Sequence, residues 1–227
     1  TIELEKIMCR LEQGEPVQYV LGQAEFAGYI YKVCPGVLIP RPETADLVDW
    51  IVQDGSEGLS VLDVGTGSGC IAVTLALQLP DAKVTAWDVS PVALRVAKEN
   101  VALHGVAVNV VEQDVLCADS GEQQWDIIVS NPPYITEKER LAMEQNVLGY
   151  EPSLALFVPD DNPLLFYRVI IEYAMKSLKN EGKLFFEINP LYAGELCRLL
   201  READFKDVET RLDRYGKQRM IKGSVRR

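Results

Sequence analysis

The sequence predicts an α/β protein in which helices cover a mostly parallel, open sheet. Apolar stretches alternate with helical patterns along most of the 227 residues, which is typical of repeated βα units. A glycine-rich turn follows the first apolar stretch of this series. Capping residues such as Ser90, followed by Pro91, open the helices. A sheet of this kind binds its ligand outside the carboxyl ends of its strands, so we expect the functional residues in the loops that follow the strands.

The elements before the sheet are predicted as a helix, a hairpin and a second helix. Residues 1–15 predict the last helix of a larger helical segment. Residues 26–33 and 36–39 predict two strands of a hairpin bent at Cys34-Pro35-Gly36, because proline and glycine favour a turn. Residues 44–52 have the spacing of an amphipathic helix.

Seven segments are predicted as the strands of the sheet: residues 59–64, 83–87, 106–111, 126–130, 183–188, 205–211 and 218–223. The last two of these segments are predicted to be a closing pair of strands. Four helices are predicted between the strands, over residues 70–79, 90–103, 164–178 and 190–203. A long insert, residues 131–163, separates the fourth strand from the helix that follows it.

Composition and charge exclude several classes of protein. The chain is 48% hydrophobic and 25% charged, as in an ordinary globular protein, and no apolar run approaches the ~20 residues of a membrane span. Five scattered cysteines without a CxxC pair and a single histidine, His104, argue against a metal site or a disulfide framework. We therefore expect no metal, no membrane and a cytoplasmic location.

A net charge of −11 argues against stable, non-specific binding of nucleic acid, because the surface repels a polyanion on average. Residues 211–227 are an exception, with seven basic residues and one acidic residue. A solvated hairpin at the edge of the sheet is the favoured interpretation of this segment.

The first cofactor motif is the turn Asp63-Val64-Gly65-Thr66-Gly67-Ser68-Gly69. It follows a buried strand and opens a helix, where glycines let a ligand approach the backbone. Asp88 ends the next strand, where a carboxylate can accept both hydroxyls of a ribose. Asp63 would oppose a phosphate but favour a cationic ligand with an amino group, as in S-adenosylmethionine. Asp114 and Val115, past the third strand, are expected beside the adenine.

The second motif is Ser130-Asn131-Pro132-Pro133-Tyr134, directly after the fourth strand. The prolines fix the backbone and supply rigid carbonyl acceptors, while Asn131 adds a side-chain acceptor and Tyr134 an aromatic face. Asn131 and the Pro132 carbonyl could accept both hydrogens of a planar NH2 group and orient its nitrogen, while Tyr134 stacks on the group. The loop therefore predicts methyl transfer to a planar amino group.

These motifs, DVGTGSG, WDVS and SNPPYI, resemble those of class I S-adenosylmethionine-dependent methyltransferases. Within that class, PVQYVLG from Pro16, IPRPET from Ile39 and the later Glu151-Pro152 are similar to the release factor glutamine methyltransferases. The resemblance implies a Rossmann-like fold and a reaction on the glutamine of the GGQ motif in bacterial-type peptide chain release factors. S-adenosylhomocysteine would be the product, and we expect a monomer.

The resemblance also implies a division of the chain and a set of site residues. Residues 1–24 would be the remnant of an N-terminal helical domain with its linker, 25–40 the connecting hairpin and 41–227 the methyltransferase domain. The implied residues fall into three groups. The cofactor would be held by Asp63, Gly65, Thr66, Gly67, Ser68, Gly69, Asp88, Asp114, Val115 and Asn131. The substrate would contact Phe26, Arg41, Pro42, Glu43, Thr44, Asn131, Pro132, Pro133 and Tyr134, of which Asn131, Pro132 and Tyr134 are catalytic.

Three departures from the pattern and two alternatives stay open. Ala45 replaces a frequent glutamate, Glu187-Ile188-Asn189-Pro190 replaces the usual EIG, and Asp160-Asp161-Asn162 replaces a glycine-rich stretch. These departures concern the rim of the substrate site. One alternative is a nucleic-acid adenine-N6 methyltransferase, which faces the same planar amino group. The other is a cofactor-binding scaffold that activates a partner without chemistry.

Overall fold

The fold centres on one seven-stranded sheet with helices on both faces. The structure is a computed structural model, and it describes residues 2–119 and 125–227. The strand order is β10-β11-β9-β6-β3-β4-β5, in which β11 runs antiparallel to both of its neighbours and the other pairs are parallel. The strands of this sheet are β3 Ser60–Val64, β4 Lys83–Asp88, β5 Val108–Glu112, β6 Trp125–Ser130, β9 Leu178–Glu187, β10 Lys206–Leu212 and β11 Gln218–Ser224. The predicted α/β class and the mostly parallel sheet are confirmed.

The helices follow the strands in the order that the sequence predicts. They are α1 Ile2–Glu12, α2 Val17–Leu21, α3 Pro42–Asp54, α4 Cys70–Gln78, α5 Pro91–His104, α6 Gln145–Tyr150, α7 Ser153–Leu156, α8 Leu165–Ser177 and α9 Ala193–Glu202. The Ser90 side chain caps α5 by accepting from the Ala93 amide. The segment predicted as one helix over 190–203 is instead a 3₁₀ turn, Pro190–Tyr192, followed by α9, because Asn189 caps that short turn through the Leu191 amide.

The hairpin before the sheet lies at a different place from the one predicted. Its strands are β1 Gln23–Phe26 and β2 Tyr29–Lys32, and the turn is formed by Ala27 and Gly28. Both turn residues have positive φ, 51° for Ala27 and 82° for Gly28, which is the conformation of a type I′ turn. A two-residue turn of this type matches the twist of the strands. The chain also bends at Cys34-Pro35-Gly36, where the Val37 amide donates to the Cys34 carbonyl at 3.1 Å, but residues 36–39 form no strand, so the hairpin predicted there is wrong.

The insert over residues 131–163 contains short elements rather than one open loop. Two-residue strands, β7 Ile135–Thr136 and β8 Phe157–Val158, pair in parallel and close the insert on itself. A 3₁₀ turn at Glu137–Ala142 and the helices α6 and α7 lie between these strands. The Tyr150 hydroxyl donates to the Gln13 carbonyl, so the insert also contacts the N-terminal segment.

The core is split by the sheet into two apolar clusters. Alternate residues of β3 show the division, because Val61 faces the cluster built on α3 and α4 whereas Leu62 faces the cluster built on α8 and α9. Both side chains are fully buried. Burial on both faces is what a parallel sheet covered by helices requires, and it makes the carboxyl edge of the sheet a rigid platform for the loops.

Polar contacts fasten the hairpin to helices α4 and α5. The Asn100 side chain on α5 accepts from the Lys32 amide at 2.7 Å and donates to the Lys32 carbonyl at 3.0 Å. The same Nδ2 donates to the Ser68 carbonyl in the glycine-rich loop at 2.8 Å. Tyr31 shares a 2.6 Å hydrogen bond with Thr74 on α4. The Asn100 side chain therefore holds both the hairpin and the glycine-rich loop. The domain boundaries given above stay a prediction, and residues 1 and 120–124 lie outside the described residues.

We expect Ala27→Asn to stabilise the protein. Alanine in the left-handed region costs about 1 kcal/mol, and asparagine tolerates that region better, so the free energy of unfolding should rise by roughly 0.5–1 kcal/mol. Denaturant unfolding measures the change. The matched control is Gly28→Ala, which places a side chain at the positive φ of 82° with no atom nearby to clash. It should lower stability through backbone strain alone. Equal stability of all three proteins would contradict the type I′ assignment.

Candidate active site

A cavity of about 280 Å³ opens at the carboxyl ends of β3, β4, β5 and β6. This is the switch point of the sheet, because β4 lies on one side of β3 and β6 on the other. Both motifs that the sequence singles out meet here. The lining includes Gly65–Ser68 in the glycine-rich loop, Asp88, Gln113–Leu116, Asn131–Pro133 and Arg41 with Thr44.

The glycine-rich loop is open towards the cavity. Gly65 and Gly67 have φ of 74° and 57°, and a Cβ at either position would meet no atom within 4 Å. Gly69 is required for another reason, since a Cβ there would lie 3.2 Å from the Cβ of Ala97 on α5. Two glycines therefore leave room for a ligand against the backbone, and the third lets two helices approach.

Asp88 holds this loop from the end of β4. Its Oδ2 accepts from the Gly67 amide at 2.8 Å, and its Oδ1 accepts from the Ser90 amide at 2.9 Å. Each carboxylate oxygen keeps a further lone pair, and the residue lines the cavity. The arrangement fits a ligand that offers a pair of hydroxyls, as a ribose does.

Asp63 lies deeper than the rest of the loop. It is fully buried, its Oδ2 accepts from the Thr66 hydroxyl at 2.6 Å, and burial raises the pKa of its carboxyl to about 7. Among the described residues, its Oδ1 and the buried Ser68 Oγ have no hydrogen-bond partner. A buried carboxylate without a balancing charge favours a cation nearby, which the ammonium and sulfonium groups of S-adenosylmethionine supply. The loop therefore fits that cofactor.

Asp114 and Val115 line the cavity after β5. The Asp114 carboxylate caps a 3₁₀ turn by accepting from the Leu116 amide at 2.9 Å, and Val115 is 9% exposed. Val115 thus offers an apolar surface beside a fixed polar group. Contact of this pair with adenine stays a prediction.

Asn131, in the NPPY loop, belongs to a hydrogen-bonded chain that leads into the core. Its Nδ2 donates to the Thr44 hydroxyl at 3.4 Å, and that hydroxyl donates to Glu187 Oε2 at 2.5 Å. Glu187 ends β9 and is 1% exposed. In the part of the chain that the structure describes, no N–H donates to the Pro132 carbonyl, so that oxygen is free to accept.

Tyr134 is bound to the same carboxylate. Its hydroxyl donates to Glu187 Oε1 at 2.9 Å, and Arg219 on β11 reaches the phenol oxygen at 3.4 Å. Burial raises the pKa of both Glu187 and Tyr134, although donors from Thr44 and Tyr134 and the charge of Arg219 counteract the shift for Glu187. The Tyr134 ring packs against the core and is not among the cavity-lining residues. Its stacking on a planar substrate stays a prediction.

The comparisons with known proteins agree with this geometry. Residues 44–149 match the family described as Methyltransferase small domain. A release factor glutamine methyltransferase of Bacteroides thetaiotaomicron is 51% identical, and the match covers 96% of this chain and 79% of the relative. A release factor glutamine methyltransferase of Flavobacterium psychrophilum is 44% identical over 99% of this chain and 81% of its own length. The chain belongs to the release factor glutamine methyltransferases. The predicted family is confirmed.

Solved structures support the fold. A methyltransferase from Pyrococcus furiosus superposes with a TM-score of 0.66 at 17% identity, covering 97% of this chain and 98% of that one. A 16S rRNA N2 G1207 methyltransferase of Thermus thermophilus, solved with S-adenosylmethionine and guanosine, gives a TM-score of 0.65 at 20% identity, covering 90% of this chain and 50% of that one. The class I methyltransferase fold is confirmed, and S-adenosylmethionine is the cofactor of the family to which the chain belongs.

One ion pair joins the IPRPET segment to the Glu151-Pro152 segment. Arg41 of IPRPET donates to Glu151 Oε1 at 2.6 Å, and Glu151 Oε2 accepts from the Ile39 amide at 3.2 Å. Glu151 precedes Pro152, which lines the cavity. Arg41 therefore fixes the insert against the segment before α3, and it still lines the cavity itself.

Some residues predicted at the mouth lie elsewhere. Phe26 is only 3% exposed and packs edge-on against Tyr31, with ring centroids 5.9 Å apart, because its strand alternates inward and outward and Phe26 faces in. Pro42 and Glu43 occupy the first turn of α3 but are not among the cavity-lining residues. Conversely, Glu187 and Arg219 were not predicted as site residues. The sequence signal for Glu187 is a carboxylate at the end of a buried strand, in the segment that departs from the usual EIG, whereas Arg219 carries no such signal.

Within the described residues, no cluster of histidine, cysteine or acidic side chains is arranged to hold a metal ion. Among the same residues, no helix is long and apolar enough to span a membrane.

We expect Asp88→Ala to weaken S-adenosylmethionine binding. The change removes a charged acceptor from the cavity and frees the Gly67 amide, which should cost roughly 1.5–3 kcal/mol of binding free energy, about a 10- to 150-fold loss of affinity. Calorimetry measures the affinity. Glu112→Ala is the matched control, because Glu112 pairs with Asp88 in register on β5 but is exposed and does not line the cavity. Unchanged affinity of the Asp88 variant would remove this residue from the cofactor site.

We expect Asp63→Asn to change how stability depends on pH in the unliganded protein. The unfolded carboxyl ionises near its ordinary pKa of 3.8, whereas the folded one keeps its proton up to about 7. Between these values the folded state binds more protons, so wild-type stability should fall relative to the variant by up to about 1.4 kcal/mol per pH unit as the pH rises. Urea unfolding from pH 4.5 to 8 tests this. Parallel curves for the two proteins would show that Asp63 is not protonated in the folded state.

Proposed function

We propose that this protein transfers the methyl group of S-adenosylmethionine to the side-chain amide nitrogen of the GGQ glutamine in peptide chain release factors, and so modulates translation termination. The supporting observation is the pair of acceptors in the cavity. The Pro132 carbonyl is free to accept, and the contact of Asn131 Nδ2 with Thr44 leaves the Asn131 oxygen for a ligand. A primary amide offers two hydrogens to such a pair.

The proposed mechanism is mainly one of positioning. An amide nitrogen is a poor nucleophile because its lone pair is delocalised. Asn131 Oδ1 and the Pro132 carbonyl would accept its two hydrogens and aim the nitrogen across the cavity. When bound, S-adenosylmethionine supplies an activated methyl group and leaves as S-adenosylhomocysteine. Orientation of reactants can contribute about 7–11 kcal/mol, and no base is needed beforehand because the proton can leave after transfer.

The cofactor would lie along the loops at the strand ends. We assign the open backbone of Gly65–Gly69 and the carboxylate of Asp63 to its amino-acid part, Asp88 to the ribose hydroxyls, and Asp114 with Val115 to the adenine. The supporting geometry is one cavity, which is lined by Gly65–Ser68, Asp88, Asp114, Val115 and the NPPY loop, whereas Asp63 is buried and does not line it. The methyl donor would thus lie between the glycine loop and Asn131.

The substrate side of the cavity would be formed by residues that also support one another. Thr44 and Arg41 line the cavity, together with Pro132 and Pro133. We assign Tyr134 to the wall behind the amide, where its hydroxyl is held by Glu187. Glycine neighbours make a GGQ loop narrow enough to reach this depth.

Charge argues against the nucleic-acid alternative. The net charge is −11, and the basic residues near the end of the chain are largely paired: Arg214 with Asp46, Arg219 with Asp213, Lys222 with Asp54 and Arg226 with Asp207. A flipped base would bring phosphates to an acidic surface with few free cations. We accordingly propose a cytoplasmic monomer that binds release factors and holds no nucleic acid stably.

A competition for labelled methyl groups tests the proposed function. The protein is incubated with labelled S-adenosylmethionine and the competing substrates. These are purified release factor, its GGQ-to-GGA variant, and duplex or single-stranded DNA. We expect label on the release factor only, because the other substrates lack a glutamine amide at the loop. Label on DNA, or equal label on the GGA variant, would contradict the assignment. No label on any substrate, despite cofactor binding, would favour the scaffold alternative.

A further inference from the structure

The orientation of the Asn131 amide follows from the groups behind it. A side-chain amide can present either its oxygen or its nitrogen to the cavity, and only the oxygen can accept from a substrate NH2 group. One of the two amide atoms of Asn131 lies 3.4 Å from the Thr44 hydroxyl oxygen, so the other is left for a ligand. The direction of the hydrogen bond at Thr44 therefore decides which atom of Asn131 the substrate meets.

The Thr44 hydroxyl has one proton, and Glu187 takes it. The Thr44 oxygen lies 2.5 Å from Glu187 Oε2, the short distance of a hydroxyl that donates to a carboxylate. Glu187 itself is 1% exposed, and its other oxygen, Oε1, accepts from the Tyr134 hydroxyl. With its proton committed, Thr44 can only accept from Asn131, so Nδ2 must point to Thr44, which leaves Oδ1 for the substrate.

We propose that Thr44 is a positioning residue. Its hydroxyl donates to Glu187 and accepts from Asn131 Nδ2, and this relay of two hydrogen bonds holds the Asn131 oxygen towards the glutamine amide. The inference rests on the proposed function, because it assigns a purpose to the orientation of Asn131. Thr44 is 3% exposed, at the first turn of α3, so water does not compete freely for its hydroxyl. Thr44 lines the cavity, but the role proposed for it is to orient Asn131.

The test removes the hydroxyl and keeps the shape. Thr44→Val should lower kcat for release factor methylation at least tenfold, because the Asn131 amide loses the partner that fixes its orientation. The affinity for S-adenosylmethionine should stay within about threefold of wild type. Thr44→Ser retains the hydroxyl and should restore most of the turnover. Thr44→Ala removes it without the branched side chain, so a valine variant that fails to fold does not leave the question open.

Thr74→Val is the matched control. Thr74 is also buried and also makes a 2.6 Å hydrogen bond, but its partner is Tyr31 in the hairpin, and Thr74 does not line the cavity. We expect this variant to lose stability and keep its kcat. The second control is a double-mutant cycle, in which Thr44→Val added to Asn131→Ala should cause little further loss, since the residue that Thr44 orients is already gone.

The outcomes separate this inference from the proposed function. If wild-type protein does not methylate the release factor, the proposed function fails. If wild type is active and Thr44→Val or Thr44→Ala keeps its kcat, the relay is overturned and the function stands. If Thr44→Val loses kcat and Thr44→Ser does not restore it, the relay is overturned. It is also overturned if the kcat losses of Thr44→Val and Asn131→Ala add fully in the double mutant. The relay is supported if Thr44→Val lowers kcat, Thr44→Ser restores it, and Thr44→Val causes little further loss in the Asn131→Ala protein.

Discussion

The buried carboxylate of Glu187 is the interaction on which the candidate acceptor site depends. A carboxylate that is 1% exposed is costly unless hydrogen-bond donors replace its water. The donors come from Thr44 at the start of α3 and from Tyr134 after β6, while Arg219 on β11 adds its charge nearby. Residues far apart in the sequence are thereby fixed around one group. Breaking such a set leaves a buried charge unpaired, which makes the arrangement rigid.

Two further carboxylates organise the cavity in the same way. Asp88 accepts from the backbone of the glycine loop, and Glu151 joins Arg41 to the insert. The amide of Asn100 adds a neutral link between the hairpin and Ser68. The glycine-rich loop and the insert are therefore each held by polar side chains from other elements. This preorganisation is what a reaction based on positioning requires.

The sequence predicts the sheet and the glycine-rich turn well because both leave local signals. Buried parallel strands are continuous apolar runs, and Gly65 to Gly69 mark a turn that needs positive φ. The hairpin was misplaced because Cys34-Pro35-Gly36 is the stronger turn signal, whereas Ala27 adopts positive φ without the usual glycine or asparagine. Phe26 and Glu187 could not be assigned from spacing, since their partners Tyr31, Thr44 and Tyr134 are set by how separate elements pack.

The central claim is that Asn131 offers its oxygen, and not its nitrogen, to a substrate amide. A neutron crystal structure of the protein with S-adenosylhomocysteine and a Gly-Gly-Gln peptide tests it most directly, because neutrons locate the hydrogens on Asn131 and Thr44. The account predicts that the Asn131 Nδ2 hydrogens face Thr44, that the Thr44 proton lies towards Glu187, and that the peptide amide donates to Asn131 Oδ1 and the Pro132 carbonyl. Nδ2 of Asn131 facing the peptide amide, or a Thr44 proton directed at Asn131, would contradict it.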